Sequence, residues 1–145
     1  MRSQPISIEQ APYKENREKT LAGIEAYTKE KMPDLDMRYE EVCFVYKEAN
    51  KVLGRIVGHV HWDHLSVELF YIEANTRGKG IGTKLLEEVE KIALEKHCKY
   101  AFLETMSFNA PVFYQKNGYN ILAQIENSPA EGETRYFMKK VLYIE

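Results

Sequence analysis

Three glycines at alternate positions, Gly78, Gly80 and Gly82, stand between an apolar run ending at Ile72 and a long amphipathic segment over residues 84–96. Glycine leaves room where a ligand must approach the backbone. A helix opening directly behind such a loop points its free N–H groups and its positive dipole end at the same spot. Strand, loop and helix start together make an anion site, most naturally for phosphate. The donors are the backbone N–H groups of Lys79, Gly80, Ile81, Gly82 and Thr83, and Arg77 or Lys79 adds a charge-assisted contact. A plain tight turn is the competing reading, but a turn does not require the helix that follows.

Two familiar phosphate loops do not fit. A Walker loop opening at Gly78 needs glycine where Thr83 stands. The dinucleotide fingerprint needs its third glycine one residue later than Gly82, and about half the chain precedes this loop. The pattern Arg/Gln-x-x-Gly-x-Gly/Ala does fit, through Arg77, Gly80 and Gly82, and it resembles the acetyl-CoA loop of the GNAT superfamily of N-acyltransferases. Residues 107–119 read Ser-Phe-Asn-Ala-Pro-Val-Phe-Tyr-Gln-Lys-Asn-Gly-Tyr. They are similar to a second GNAT segment, with Ala110, Phe113, Tyr114, Lys116, Gly118 and Tyr119 in register; Ser107 departs, standing where many members have asparagine. The resemblance covers roughly residues 36–142 and is weak over the N-terminal third.

The resemblance implies acetyl-CoA as co-substrate, with Phe70, Tyr71 and Ile72 beside the pantetheine arm and Asn109, Phe113 and Tyr114 lining the same cofactor. It implies acetyl transfer to a primary amine by direct attack in a ternary complex. Such a transfer needs a neutral amine, although an alkylamine is mostly protonated at neutral pH. It also needs a donor to the tetrahedral oxyanion and a proton for the departing thiolate. No covalent enzyme intermediate is required. Tyr114 matches the tyrosine that usually supplies the proton in the family. For the base, Glu68 and His64 share one face of the strand before the loop, and Glu104 ends the next strand. Glu68 reads equally as a salt-bridged edge charge, and Glu104 as a residue orienting the amine. A noncatalytic acyl-CoA-binding or regulatory module is the alternative function. The acceptor is a small-molecule or peptide amine, and the sequence does not choose among them.

The elements that must position these residues follow from periodicity and turn residues. Residues 5–8 read as a short first strand, 12–31 as a helix that Pro33 ends, and 38–47 and 52–62 as strands, with Gly54 and Gly58 interrupting the second. In residues 64–72, Leu65, Val67, Leu69 and Tyr71 form an expected core face; His64, Ser66, Glu68 and Phe70 form the polar, cleft-lining face. The glycine loop leads into a helix whose stripe is Ile81, Leu85, Leu86, Val89, Ile92 and Ala93. A strand over 99–105, a short helix over 110–117 stopped at Gly118, and strands over 119–125 and 135–142 complete the chain. The order predicts a single α/β domain over residues 1–145: a GNAT-like mixed sheet of six or seven strands with helices on both faces.

The formal net charge of −2 gives no basic footprint for nucleic acid. No apolar run has the length of a membrane span, and no signal peptide is visible. Cys43 and Cys98 have no metal-ligand spacing and read as reduced thiols of a cytoplasmic protein. Lys96, His97 and Lys99 around Cys98 could lower its pKa, but an unreactive thiol is the preferred reading. His59, His61 and His64 invite a metal, yet no cysteine or carboxylate completes a ligand set, so a histidine-lined cleft wall is preferred and no metal is expected. The apolar closing hairpin either finishes the monomer's core or forms a homodimer contact.

Overall fold

The computed structural model describes residues 4–143. The chain divides into two compact units that part between Met37 and Arg38. The first contains one helix, α1 (Tyr13–Lys31), which opens after Pro12. Local bonds sustain it: Asn16 Nδ2 donates to Pro12 O at 2.7 Å, Thr20 and Thr28 donate to the carbonyls four residues back, and Glu15 pairs with Lys19 at 2.9 Å. Leu21, Ile24 and Tyr27 are all exposed. Residues 5–8 correct the expectation of a first strand. Among the described residues no ladder pairs them, and Ile6 and Ile8 stand fully exposed.

The second unit carries β1 (Tyr39–Glu48), β2 (Lys51–His61), β3 (His64–Ile72), α2 (Ile81–Glu95), β4 (Tyr100–Met106), α3 (Pro111–Lys116), β5 (Asn120–Glu126) and β6 (Thr134–Val141). The six strands form one mixed sheet, ordered β1-β2-β3-β4-β6-β5. Among the described residues only β3 and β4 pair in parallel, because α2 carries the chain across between them. Every other pairing is antiparallel. The β1–β2 turn uses Ala49 and Asn50, both left-handed (φ 47° and 69°), as a two-residue hairpin connection demands.

The stripe read from the sequence buries as expected except at Ile92, which is only partly covered. Ile81, Leu85, Leu86, Val89 and Ala93 of α2 pack on Leu53, Ile56 and Val60 of β2 and Leu65 and Val67 of β3, and the core continues through Ala101, Leu103 and Met138. Cys98 lies in this core without exposure. Burial therefore pushes its thiol pKa up, outweighing the lowering by Arg38 and Lys96, and the activation considered from its basic neighbours does not occur.

The alternation read along β3 holds for only half of the strand. Val57 pairs with Leu69 but Gly58 pairs with Val67, so Glu68 is an extra residue on β3, a β-bulge. Beyond it the faces exchange. Leu69 (68 % exposed) and Tyr71 (55 %) leave the core face, while Phe70 and Ile72 pack against the core. Gly58 permits the bulge, since a Cβ there would stand 2.3 Å from the Ser66 carbonyl oxygen.

Candidate active site

The parallel ladder of β3 and β4 runs from His64–Tyr100 to Val67–Leu103 and stops at the bulge. Beyond it, β3 continues to Ile72 and β4 to Met106 without pairing with each other. Between them opens a cleft of about 770 Å³, with α2's start at one end and α3 along its side. Among the described residues the edge of β3 that faced β4 has no strand partner there, so its backbone groups are available to an extended ligand.

One end of the cleft is built largely from backbone. Arg77 Nε donates to Ile72 O at 3.0 Å, and its guanidinium lies 5.6 Å from the centre of the Tyr71 ring. Gly78 (φ 84°) and Gly80 (φ 79°) take left-handed angles, and a Cβ at either would meet open space. Their requirement is conformational. Gly80 caps α2, whose first intrahelical bond runs from Lys84 N–H to Gly80 O at 3.1 Å. The N–H groups of Ile81, Gly82 and Thr83 come before that bond and keep no helical partner. Gly82 has a different reason to be glycine: a Cβ there would stand 3.0 Å from Phe113 Cζ. Phe113 in turn meets Phe70 edge to face at 5.9 Å. Lys79 does not line the cleft; Ile81, Gly82 and Thr83 do.

The other end is built from side chains. Tyr114 lines the cleft from α3 and is only 9 % exposed, held by ring contacts with Phe70, Phe113 and Tyr119. Burial pushes its pKa up to about 12, so the phenol keeps its proton at neutral pH. Glu68 lines the cleft at the bulge, and its Oε1 is hydrogen-bonded to His59 Nδ1. Glu104 also lines the cleft, but Arg135 holds its Oε2 through Nε (3.1 Å) and Nη2. Asn109 forms part of the wall where the chain leaves β4, its N–H bonded to Met106 O at 2.9 Å. His64 does not line the cleft. It stacks on Tyr100 at 5.0 Å and contacts Asp63.

Several partners escaped sequence reading. His59 and Glu68 sit on adjacent strands, and their meeting depends on the hairpin register and the bulge. The departure at Ser107 has a local reason: its hydroxyl donates to Glu133 and accepts from Thr134 N–H at 2.8 Å, fastening the end of β4 to the start of β6. Behind Tyr114, Tyr119 donates to Glu90 at 3.0 Å and Lys140 reaches the other Glu90 oxygen at 2.6 Å, an ion pair spanning α2 and β6. Among the described residues no group of three or more His, Cys, Asp or Glu is placed to hold a metal ion, and no helix is long and apolar enough to cross a membrane.

Residues 7–119 match the acetyltransferase (GNAT) family. The blasticidin-S acetyltransferase of Streptomyces morookaense is 37% identical over 113 residues, covering 76% of this chain and 82% of that one. The crystal structure of an acetyltransferase from Bacillus cereus ATCC 14579 superposes with a TM-score of 0.85 at 29% identity, covering 93% of this chain and 97% of the other. A putative streptothricin acetyltransferase from Bacillus anthracis, solved in complex with acetyl coenzyme A, shares the fold with a TM-score of 0.63 at 20% identity over 70% of this chain and 62% of its own.

Proposed function

The chain belongs to the GNAT acetyltransferase family, and from that premise we propose that its cleft joins acetyl-CoA and a primary amine in a ternary complex and transfers the acetyl group by direct attack. The observation that carries this reading is the parting of β3 and β4 at Glu68. It leaves a strand edge running toward the glycine loop and sets Glu68 and Tyr114 in the same cleft wall.

The free amides of Ile81, Gly82 and Thr83 receive the pyrophosphate at the positive end of α2. The pantetheine arm pairs with the open edge of β3 beside Phe70, Tyr71 and Ile72, past Asn109 and Phe113. Arg77 orders the loop through Ile72 O and adds positive charge near the phosphates. Tyr114, protonated in its buried position, gives its proton to the departing thiolate. For the base, Glu68 is favoured over the two other carboxylate or imidazole candidates: Glu104 is committed to Arg135, and His64 is turned to Tyr100. The reaction uses no metal.

The acceptor proposed is a small-molecule amine of the antibiotic type. Support comes from the blasticidin-S relative and from a streptothricin acetyltransferase of Bacillus subtilis, 29% identical over 116 residues. We take residues 1–145 to serve as one N-acetyltransferase domain in the cytoplasm, with a homodimer formed through the β5–β6 hairpin. Every residue of β5 is exposed, Ile121, Leu122 and Ile125 among them, and β5 is an outer strand. Light scattering tests the dimer, which requires twice the chain mass of 16.9 kDa.

Acetyl-CoA binding and thiol release test the whole. Acetyl-CoA should raise the melting temperature of the wild type. Gly80→Asp should remove that rise and leave the fold, since the position is open and aspartate accepts left-handed angles better than most residues. Gly82→Asp is a poorer probe because it also drives into Phe113. Thiol release should appear with blasticidin S or streptothricin as acceptor. A wild type with no melting shift at millimolar acetyl-CoA overturns the proposal.

A further inference from the structure

The bulge aims Glu68 into the cleft and joins its carboxylate to an imidazole on the neighbouring strand. Oε1 of Glu68 meets Nδ1 of His59; among the described residues Oε2 has no hydrogen-bond partner and is left to the cleft. His59 is largely covered, its side chain 18% exposed against 42% for Glu68. Its ring stacks on Tyr39 at 4.6 Å and 23°. Tyr39 itself is 59% exposed, so the chain Glu68, His59, Tyr39 runs from the cleft wall to an open surface of β1. The other titratable neighbours are Glu41, opposite His59 in the β1–β2 register, and His61 on the same strand, 6.4 Å from ring to ring.

Acceptor chemistry gives this pair a task. An alkylamine arrives mostly as an ammonium ion, and each turnover must remove one proton to solvent. A carboxylate that takes the proton has to pass it on before the next cycle. We infer that His59 is a positioning and proton-accepting residue, which orients Glu68 and removes from it the proton lost by the acceptor. The inference rests on the reading of Glu68 as base. In the first step an N–H bond of the ammonium breaks, its electron pair stays on nitrogen, and an O–H bond forms on Glu68. In the second step that O–H bond breaks and, by way of water, a bond forms between the proton and Nε2 of His59, whose Nδ1–H stays on Oε1. The imidazolium then gives its Nε2 proton to bulk water and the pair is reset. The second proton of the attacking nitrogen restores Tyr114 after Tyr114 protonates the thiolate, and the net products are the amide, the CoA thiol and one proton.

The test uses the full chain, acetyl-CoA and blasticidin S or streptothricin, whichever gives faster thiol release with the wild type. Glu68→Gln, His59→Gln, His59→Ala and the double variant Glu68→Gln/His59→Gln are compared. Glutamine at position 59 can still hydrogen-bond Glu68 but cannot carry a proton. Each single variant should lower kcat by roughly ten- to a hundredfold, the scale of a lost proton-transfer partner. The double variant should be no slower than the slower of the two singles, because the two residues act as one unit. Added imidazole should restore His59→Ala severalfold and leave Glu68→Gln unchanged. The acetyl-CoA melting shift should persist in all four. Wild-type kcat in His59→Gln, a double variant as slow as the product of the singles, or imidazole rescue of neither histidine variant overturns the inference while leaving Glu68 as base. Wild-type kcat in Glu68→Gln removes the base reading and this inference together, as does a wild type that releases no thiol with either amine.

Discussion

The two halves of β3 carry the same kind of sequence and meet opposite fates. From His64 to Val67 the strand is paired on both sides, and its apolar residues Leu65 and Val67 are buried. From Glu68 to Ile72 it is paired on one side only; Leu69 and Tyr71 are exposed while Phe70 and Ile72 turn to the core. One extra residue separates the halves. A strand's face is thus a property of the pair of strands, and a single bulge exchanges the faces and opens one edge. The first half holds the sheet together; the second gives up backbone pairing and apolar burial, and those exposed groups are what a cofactor can use.

A large loss of stability should come from attacking the device that separates the halves. Gly58→Val puts a Cβ 2.3 Å from the Ser66 carbonyl oxygen, a backbone atom that cannot rotate away. Destabilisation should reach about 3 kcal/mol, the upper end of ordinary overpacking. In a chain of this size that is a fall in melting temperature of roughly 6–12 °C. Gly54 offers a control on the same strand. Its Cβ would meet Ile72 Cδ1 at 2.8 Å, the end of a flexible side chain, so Gly54→Ala should lose clearly less. Equal losses at the two glycines would mean that the bulge does not depend on a close approach at Gly58.

Next comes chemistry at the open half. Tyr114→Phe should lower kcat by about a hundredfold and leave acetyl-CoA affinity nearly unchanged, as expected for a lost proton donor. The pH dependence has a definite sign. With its pKa pushed to about 12 by burial, the donor holds its proton through mildly alkaline solution, so kcat should show no loss assignable to Tyr114 below about pH 11. Stability follows the same shift. The folded phenol keeps its proton at pH values where the unfolded one, near 10, has lost it. Its contribution is therefore complete below pH 10 and disappears between about 10 and 12. Tyr119 is raised in the same direction by burial and by Glu90, so Tyr114→Phe should flatten that slope in part only. An alkaline limb near pH 9 that vanishes in Tyr114→Phe would contradict the burial assigned to this residue.

How much of this was legible depends on whether the signal is local. The α2 stripe and the short helix before Gly118 are periodic within one segment, and burial at Ile81, Leu85, Leu86 and Val89 follows the period. The glycine loop is local too, though only Gly78 and Gly80 are glycine for their angles, while Gly82 answers to Phe113, a residue from a distant segment. The bulge was hidden because a period-two reading of β3 has no term for an extra residue. Its trace was Gly58, on the partner strand, visible in the sequence only as an interruption. The partners of Glu68 and Glu104 were hidden for the same reason, since His59 and Arg135 reach them across strands whose register the sequence does not print. Residues 5–8 had the composition of a strand but nothing to pair with.

The smallest expected effect tests the comparison most directly. Leu65 and Leu69 lie four residues apart on one strand, and simple alternation puts both on the core face. Leu65 is fully buried between α2 and the sheet, so Leu65→Ala should cost about 2–5 kcal/mol through lost contacts and the cavity left behind. Leu69 is 68% exposed and lines the cleft, so Leu69→Ala should change stability by no more than about 0.5 kcal/mol. Its consequence should appear in binding instead, as a modest rise in KM for the acceptor or acetyl-CoA when the cleft wall loses apolar surface. Chemical denaturation of both variants beside the wild type separates the cases. A Leu69→Ala loss comparable to that of Leu65→Ala would return Leu69 to the core and remove the face exchange at Glu68 on which the division of β3 rests.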